Sequence, residues 1–227
     1  MDVSIVVPLF NEESRMDKFL ASLKEHGKNR WEVILVNDGS TDKTLEKLQR
    51  FEMPNKKIIS YRKNMGKGFA VKKGIMAADG DYVVFIDADG SIHPSQIKNM
   101  LRQLKRYDVV IGTRTSQQSK VVQPFFREFI GVAFNKYTNL LFDIDTDDTL
   151  CGFKGFRRDA AKFLFGNLIS RKWVFDVELL YKIKKKGYSL CKIPIVWVYK
   201  SNSRIRFLDP IKIAINLLYL RFKLIKW

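Results

Sequence analysis

Two cysteines, two histidines and the lack of any long uncharged apolar run leave several chemistries without material. Cys151 and Cys191 lie 40 residues apart with no second pair, which supports neither a disulfide framework nor a cysteine-based zinc site. The opening MDVSIVVPLF has no basic stretch ahead of its apolar run, which at about eight residues is short for a secretory core; a reducing compartment is expected. The P-loop pattern G-x-x-x-x-G-K-[ST] does not occur. Nor do zinc-finger spacing, an RNP-like aromatic strand or a helix-turn-helix pattern, so nucleic acid is not an expected partner. No repeat or low-complexity linker divides the chain. Acids are also scarce, at 24 Asp and Glu against 41 Lys and Arg, a net charge of +17.

What remains is a 227-residue chain with 46% apolar residues, ample for one packed domain. Its charge is uneven. From Tyr181 to Trp227 there are twelve Lys and Arg and one acid, Asp209, so +11 of the net charge lies in the last 47 residues. That excess suits phospholipid headgroups, a phosphate-bearing ligand or nucleic acid, and a solvated basic face would look the same.

The front half alternates strands and helices. VSIVVPLF (3–10) reads as a strand, and 12–25 as a helix with Met16, Phe19, Leu20 and Leu23 on one face. WEVILVN (31–37) is a second strand, followed by a helix that Ser40 or Thr41 can cap. KKIISY, DYVVFID and YDVVIGTR read as further strands, with helices over 66–78 and 94–106 between them. This rhythm predicts an α/β fold, a mostly parallel sheet with helices on both faces. Ligands on such sheets bind beyond the carboxyl ends of the strands, where Asn11, Asp38, Asp87 and Asp89 fall. Beyond Arg114 the pattern changes: a long amphipathic segment over 125–142, turn residues with a short strand signal over 145–160, a helix over 174–185 and a late strand, IPIVWVY.

The chemistry-bearing residues are the Asp87-Ala88-Asp89 triplet, the VNDGSTDKT stretch and the NMGKG turn. Two acids at i, i+2 on a loop offer hard oxygen ligands to Mg²⁺ or Mn²⁺, although turn acids and caps also look like this. The Asp38 carboxylate can accept from a base N–H or a ribose hydroxyl, or belong to a helix-cap cluster. Lys67, between two glycines at a helix start, is a plausible diphosphate contact, and equally an ordinary helix entry. His93 precedes Pro94 and is read as a satisfied turn residue, not a base or ligand. Trp173 is read as a core aromatic, with packing against a sugar as the alternative.

VVPLFNEE, VILVNDGSTDKT, NMGKGFAVKKGIMAADGDYVVFIDADG, GTR, DDTLCGFKGF and KWVFDVELL, in that order, resemble the inverting family 2 glycosyltransferases of GT-A (Rossmann-like) fold. The likeness runs from Val3 to about Tyr219 and is closest to the polyprenyl-phosphate branch, more to its dolichyl-phosphate β-glucosyltransferases than to its mannose synthases. One position departs: Leu150 stands where the glucose enzymes usually carry Gln. The resemblance implies UDP-glucose held by Pro8, Asn11, Glu12, Asp38, Lys67, Asp87 and Ala88, with Mg²⁺ or Mn²⁺ on Asp87 and Asp89. It implies an acceptor phosphate met by Arg114, Arg127, Asn135 and Arg204, and a catalytic set of Asp89, Arg114, Arg127 and Asp176. A phosphate monoester, with its second pKa near about 6, is already ionised and needs no general base. Two further possibilities stand beside this one: a mannose synthase using GDP-mannose, and a transferase acting on a saccharide hydroxyl with Asp176 as base.

Residues 1–207 are expected to form the catalytic domain, and 208–227 an amphipathic basic helix at a membrane interface. The longest uncharged run there, Ile213 to Leu220, is eight residues, whereas a bilayer takes about 20. Peripheral attachment at the cytoplasmic face of a membrane is expected. A helix packed on the core would show the same pattern.

Overall fold

A computed structural model describes residues 2–27, 30–122, 125–200 and 209–226, with the backbone alone for 125–130, 209–212 and 226. Seven strands form one sheet: β1 (Val3–Leu9), β2 (Trp31–Asp38), β3 (Lys56–Tyr61), β4 (Tyr82–Ile86), β5 (Val109–Thr113), β7 (Phe153–Arg157) and β8 (Leu190–Pro194). Their order is β3-β2-β1-β4-β7-β5-β8. Every neighbouring pair is parallel except those made by β7, which runs antiparallel to both β4 and β5. β6 (Lys120–Val122) and β9 (Val196–Val198) form a separate parallel pair.

The strands of the sheet centre read as near-continuous apolar runs because both faces are covered. All eight residues of β2 are buried. One face packs α3 (Lys67–Met76), α6 (Arg158–Gly166), α7 (Phe175–Lys186), and Phe142 of α5 (Phe125–Phe142) against Val6, Val36, Phe85 and Phe156. The other packs α1 (Met16–Gly27), α2 (Thr44–Arg50) and α4 (Ile97–Leu104) against Ile5, Val7, Val33 and Phe153. Each fully buried aliphatic side chain contributes about 1.5–3 kcal/mol relative to exposure.

The expected α1 stripe is observed, with Met16, Phe19, Leu20 and Leu23 all buried. Ser40 and Thr41 do not cap α2: the helix starts at Thr44, and Asp42 Oδ1 accepts from the Thr44 N–H at 2.9 Å. The expected strand IPIVWVY is split between β8 and β9, which belong to different sheets. α8 (Asp209–Lys223) sets Leu217 and Leu220 into the core, joined by Leu224 just beyond it. Its other face leaves Ile215, Leu218, Tyr219 and Phe222 exposed. Among the described residues no helix is long and apolar enough to cross a membrane.

Candidate active site

The carboxyl ends of the parallel strands β1, β2 and β4 lie at one edge of the sheet, flanking the position where the sheet order turns back from β1 to β4. Two loops are laced together there. The Asn11 N–H donates to Ser40 Oγ at 2.9 Å, and Asn11 Oδ1 accepts from the Thr41 N–H at 2.8 Å. The Glu12 N–H donates to Thr44 Oγ1 at 2.8 Å, while its carboxylate takes Arg15 Nε and Nη2 at 2.9 and 2.8 Å. Pro8 sits beside them on β1, in register with Val36.

Asp38 is buried, and its carboxylate is engaged within the protein. It accepts from the Met65 N–H at 2.8 Å, the Gly66 N–H at 3.0 Å and Asn64 Nδ2 at 3.1 Å. Burial and the neighbouring Asp38 charge push the Tyr61 phenol above its usual range. The work of Asp38 here is to shape the turn that precedes Lys67. Gly66 in that turn has φ +101°, and a Cβ there would come within 2.6 Å of the Arg171 carbonyl oxygen; glycine is the residue that fits.

The turn aims Lys67 at the aspartate doublet. Its Nζ lies 2.7 and 2.9 Å from the two oxygens of Asp87, whose side chain is 32% exposed. Asp89 is turned the other way at one oxygen, Oδ1 accepting from the Ser91 N–H at 2.9 Å. Ala88 between them is buried. Beneath the doublet, Gly152 approaches so closely that a Cβ would sit 1.8 Å from Asp87 Oδ2. Burial raises the Asp87 carboxyl above its usual range; Lys67 opposes this, and the charges of Asp89 and Asp176 add to it. Burial alone would lower the Lys67 ammonium, but Asp87, Asp176 and Asp89 together outweigh it and hold it above its usual value.

Asp176, at the start of α7, is sealed below this cluster. It pairs with Lys154 of β7 at 2.6 Å, the two side chains 1% and 0% exposed, and among the described residues its Oδ2 has no hydrogen-bond partner. Lys154 also donates to the Cys151 carbonyl at 2.6 Å. Burial pushes the Cys151 thiol up to about 12, so it is no nucleophile at neutral pH.

On the other side of β4, Arg114 follows β5 with its fork held by Asp148. Nε and Nη2 lie 2.9 and 2.6 Å from the carboxylate, and the backbone N–H at 2.7 Å. Burial alone would lower this guanidinium, but the hydrogen bonds and charge of Asp148 outweigh it. The Asn135 amide holds the following loop: Oδ1 accepts from the Thr149 N–H at 3.2 Å and from its hydroxyl, and Nδ2 donates to the Asp147 carbonyl. Arg127 lies in α5, where the backbone alone is described, and Arg204 lies outside the described residues. His93 is a turn residue with both ring nitrogens occupied, by Ser22 Oγ and Ser95 Oγ at 2.9 Å each.

The model of glycosyl transferase family 2 matches residues 4–165, which contain the whole doublet and the Lys67 turn. The chain belongs to glycosyl transferase family 2. Among relatives in this family, it is 34% identical to a dolichyl-phosphate beta-glucosyltransferase of Trichomonas vaginalis, over 95% of this chain and 72% of that one. It is 30% identical to the dolichyl-phosphate beta-glucosyltransferases of Saccharomyces cerevisiae and Homo sapiens, over 96% and 97% of this chain and 74% and 75% of theirs. In fold it is similar to glucosyl-3-phosphoglycerate synthase from Mycobacterium tuberculosis, solved with Mn²⁺, UDP and glucosyl-3-phosphoglycerate. The TM-score is 0.72 at 22% identity, covering 97% of this chain and 79% of that one.

Asp148 and Lys154 fall within DDTLCGFKGF and Glu178 within KWVFDVELL, but these motifs assign them no role, because each is defined by an ion-pair partner that spacing does not reveal; Lys182 lies beyond the motifs. Gly152 belongs to the CGFK stretch, but its contact with Asp87 crosses the sheet between β4 and β7.

Proposed function

We propose that this enzyme transfers glucose from UDP-glucose to dolichyl or another polyprenyl phosphate, with inversion, by a single displacement. The support from sequence is the run of relatives at 28–34% identity, each a dolichyl-phosphate beta-glucosyltransferase. The support from geometry is Asp176. A general base must reach the proton it removes, at about 2.6–3.2 Å. Asp176 is 1% exposed and bound to Lys154 through Oδ1, so it presents no base to an alcohol acceptor. An acceptor that arrives as a phosphate anion needs none.

In this reaction an acceptor phosphate oxygen forms its bond to the anomeric carbon as the bond from that carbon to the diphosphate breaks, and the nucleoside diphosphate leaves with the electron pair. Lys67 binds the diphosphate. Arg114 presents the edge of its guanidinium that Asp148 does not hold, with Arg127 and Arg204 as further acceptor cations. The doublet fits a divalent ion: two hard carboxylates, one of them raised by burial and by the neighbouring charges of Asp89 and Asp176. Among the described residues no third Asp, Glu, His or Cys joins them. Mg²⁺ or Mn²⁺ held by Asp87 and Asp89 would neutralise charge building on the leaving group.

The outward face of α8, with Ile215, Leu218, Tyr219 and Phe222 beside Arg221 and Lys223, suits a helix lying in the headgroup layer on the cytoplasmic face of a membrane. Residues 1–207 then supply the catalytic domain and 208–227 the contact. A donor panel decides the chemistry: UDP-glucose and GDP-mannose are each incubated with a short polyprenyl phosphate and Mg²⁺ or Mn²⁺, and the lipid product is read by mass spectrometry. Glucosyl phosphoprenol from UDP-glucose is expected. Mannose transfer alone, transfer to a saccharide but not to the lipid phosphate, or undiminished activity in Asp89→Ala would overturn the proposal.

A further inference from the structure

α7 carries a second sealed ion pair. Glu178 and Lys182 lie 2.5 Å apart, both side chains 0% exposed, and neither is used in the chemistry above. Both also bond to one segment. Glu178 Oε1 accepts from the Ile169 N–H at 2.8 Å and Oε2 from the Ser170 N–H at 2.7 Å, while Lys182 Nζ donates to the Asn167 carbonyl at 2.5 Å. Burying two full charges is costly unless their geometry is tight and their other bonds are satisfied. The pair therefore fixes where the strap 167–173 runs.

That strap lies on the turn that carries Lys67. The Arg171 carbonyl accepts from the Phe69 N–H at 3.0 Å, and Lys72 Nζ reaches the Gly166 and Leu168 carbonyls at 3.0 and 3.2 Å. The close approach at Gly66 is to this same strap. Its last residue is Trp173. Expected in the core, the indole is 42% exposed, and Lys67 Nζ sits 5.6 Å from its ring centroid.

We infer that Trp173 is a positioning residue for the diphosphate of the nucleotide donor, acting through Lys67 and delivered by the strap that the Glu178–Lys182 pair anchors. This rests on the nucleotide-sugar reading above. The electron-rich face of an indole attracts an ammonium without accepting its protons. The Asp87 carboxylate already takes N–H donation from Lys67; the ring attracts the cation without taking a donor, so the ammonium keeps its remaining N–H capacity for phosphate oxygens. The ring also keeps water from that side of the ammonium, which strengthens its attraction to an incoming anion.

The test measures binding, not turnover, on the full chain. UDP and GDP are titrated calorimetrically, with uridine and guanosine as phosphate-free controls read by competition. Trp173→Ala should weaken diphosphate binding about threefold to thirtyfold, the range of a cation–π contact, and leave the nucleosides unchanged. Trp173→Phe, which keeps an aromatic face, should recover most of the loss. In a Lys67→Met background, Trp173→Ala should add nothing. Unchanged diphosphate affinity in Trp173→Ala, an equal loss for the nucleosides, or the same loss without Lys67 would overturn the inference while leaving the donor reading intact. A wild-type chain that binds neither diphosphate would overturn the donor reading, and the inference with it.

Discussion

Replacing Lys154 by methionine keeps most of the side-chain volume and removes the cation paired with Asp176. The pair is closed to solvent on both sides, and among the described residues the second Asp176 oxygen has no partner. Losing one member of a buried pair strands a charge and costs about 3–5 kcal/mol. In a chain of this size each kcal/mol moves the melting temperature by about 2–4 °C, so a fall of about 6–20 °C is expected. Lys154→Met with Asp176→Leu removes both charges and should recover most of that loss, because well-packed apolar replacements of buried pairs are often neutral. Circular dichroism melts of the three proteins at one pH measure this. A single variant melting within about 2 °C of wild type, or a double variant no better than the single, would refute the burial argument. The double variant also bears on mechanism. Reduced but measurable transfer to a polyprenyl phosphate fits a reaction without a base at Asp176, and complete loss in a folded protein contradicts it.

Asp87→Asn should abolish transfer, because it removes half of the doublet and the carboxylate that Lys67 pairs with; transfer near the wild-type rate in the product assay would contradict its place in the site. Gly66→Ala forces a Cβ against the Arg171 carbonyl at a positive φ, a strain of about 1–3 kcal/mol, and should raise the donor KM more than the acceptor KM. Asp148→Asn leaves Arg114 without its charged anchor, and should raise the acceptor KM at unchanged donor KM; equal effects on both would detach Arg114 from the acceptor.

The alternation of apolar runs and amphipathic stretches is legible because parallel strands buried on both faces and helices buried on one leave different periods. β3 ends where the sequence places it, at Lys56–Tyr61. The antiparallel β7 is not legible as such: nothing in FKGFR reveals which strands it enters between, since its partners Tyr82 to Ile86 and Val109 to Ile111 lie far along the chain. Asp87, Asp89 and Lys67 stand out because a motif and a strand end coincide. Asp38 stands out too, but its carboxylate is directed to backbone N–H groups 27 and 28 residues away, a contact that no local pattern encodes. Trp173 departs from its expected core position for a related reason: an aromatic before a helix normally packs inward, and here the strap beneath it is set by charges on the next turns of α7.

The scarcity of acids gives these contacts a common logic. Asp87, Asp148, Asp176 and Glu178 each take one cation, respectively Lys67, Arg114, Lys154 and Lys182. Such pairing removes the cost of carrying carboxylates inward. Asp89 differs: among the described residues it makes no ion pair, and its described bond is a single one, from a backbone N–H. A carboxylate placed beside another raised carboxylate, and without an ion pair among the described residues, is the group that would gain most from the dication of the proposed function. Under the proposed function Asp89 and the Lys67 ammonium would play complementary parts: the carboxylate would keep a place for the metal while the ammonium shared its charge between Asp87 and an incoming diphosphate.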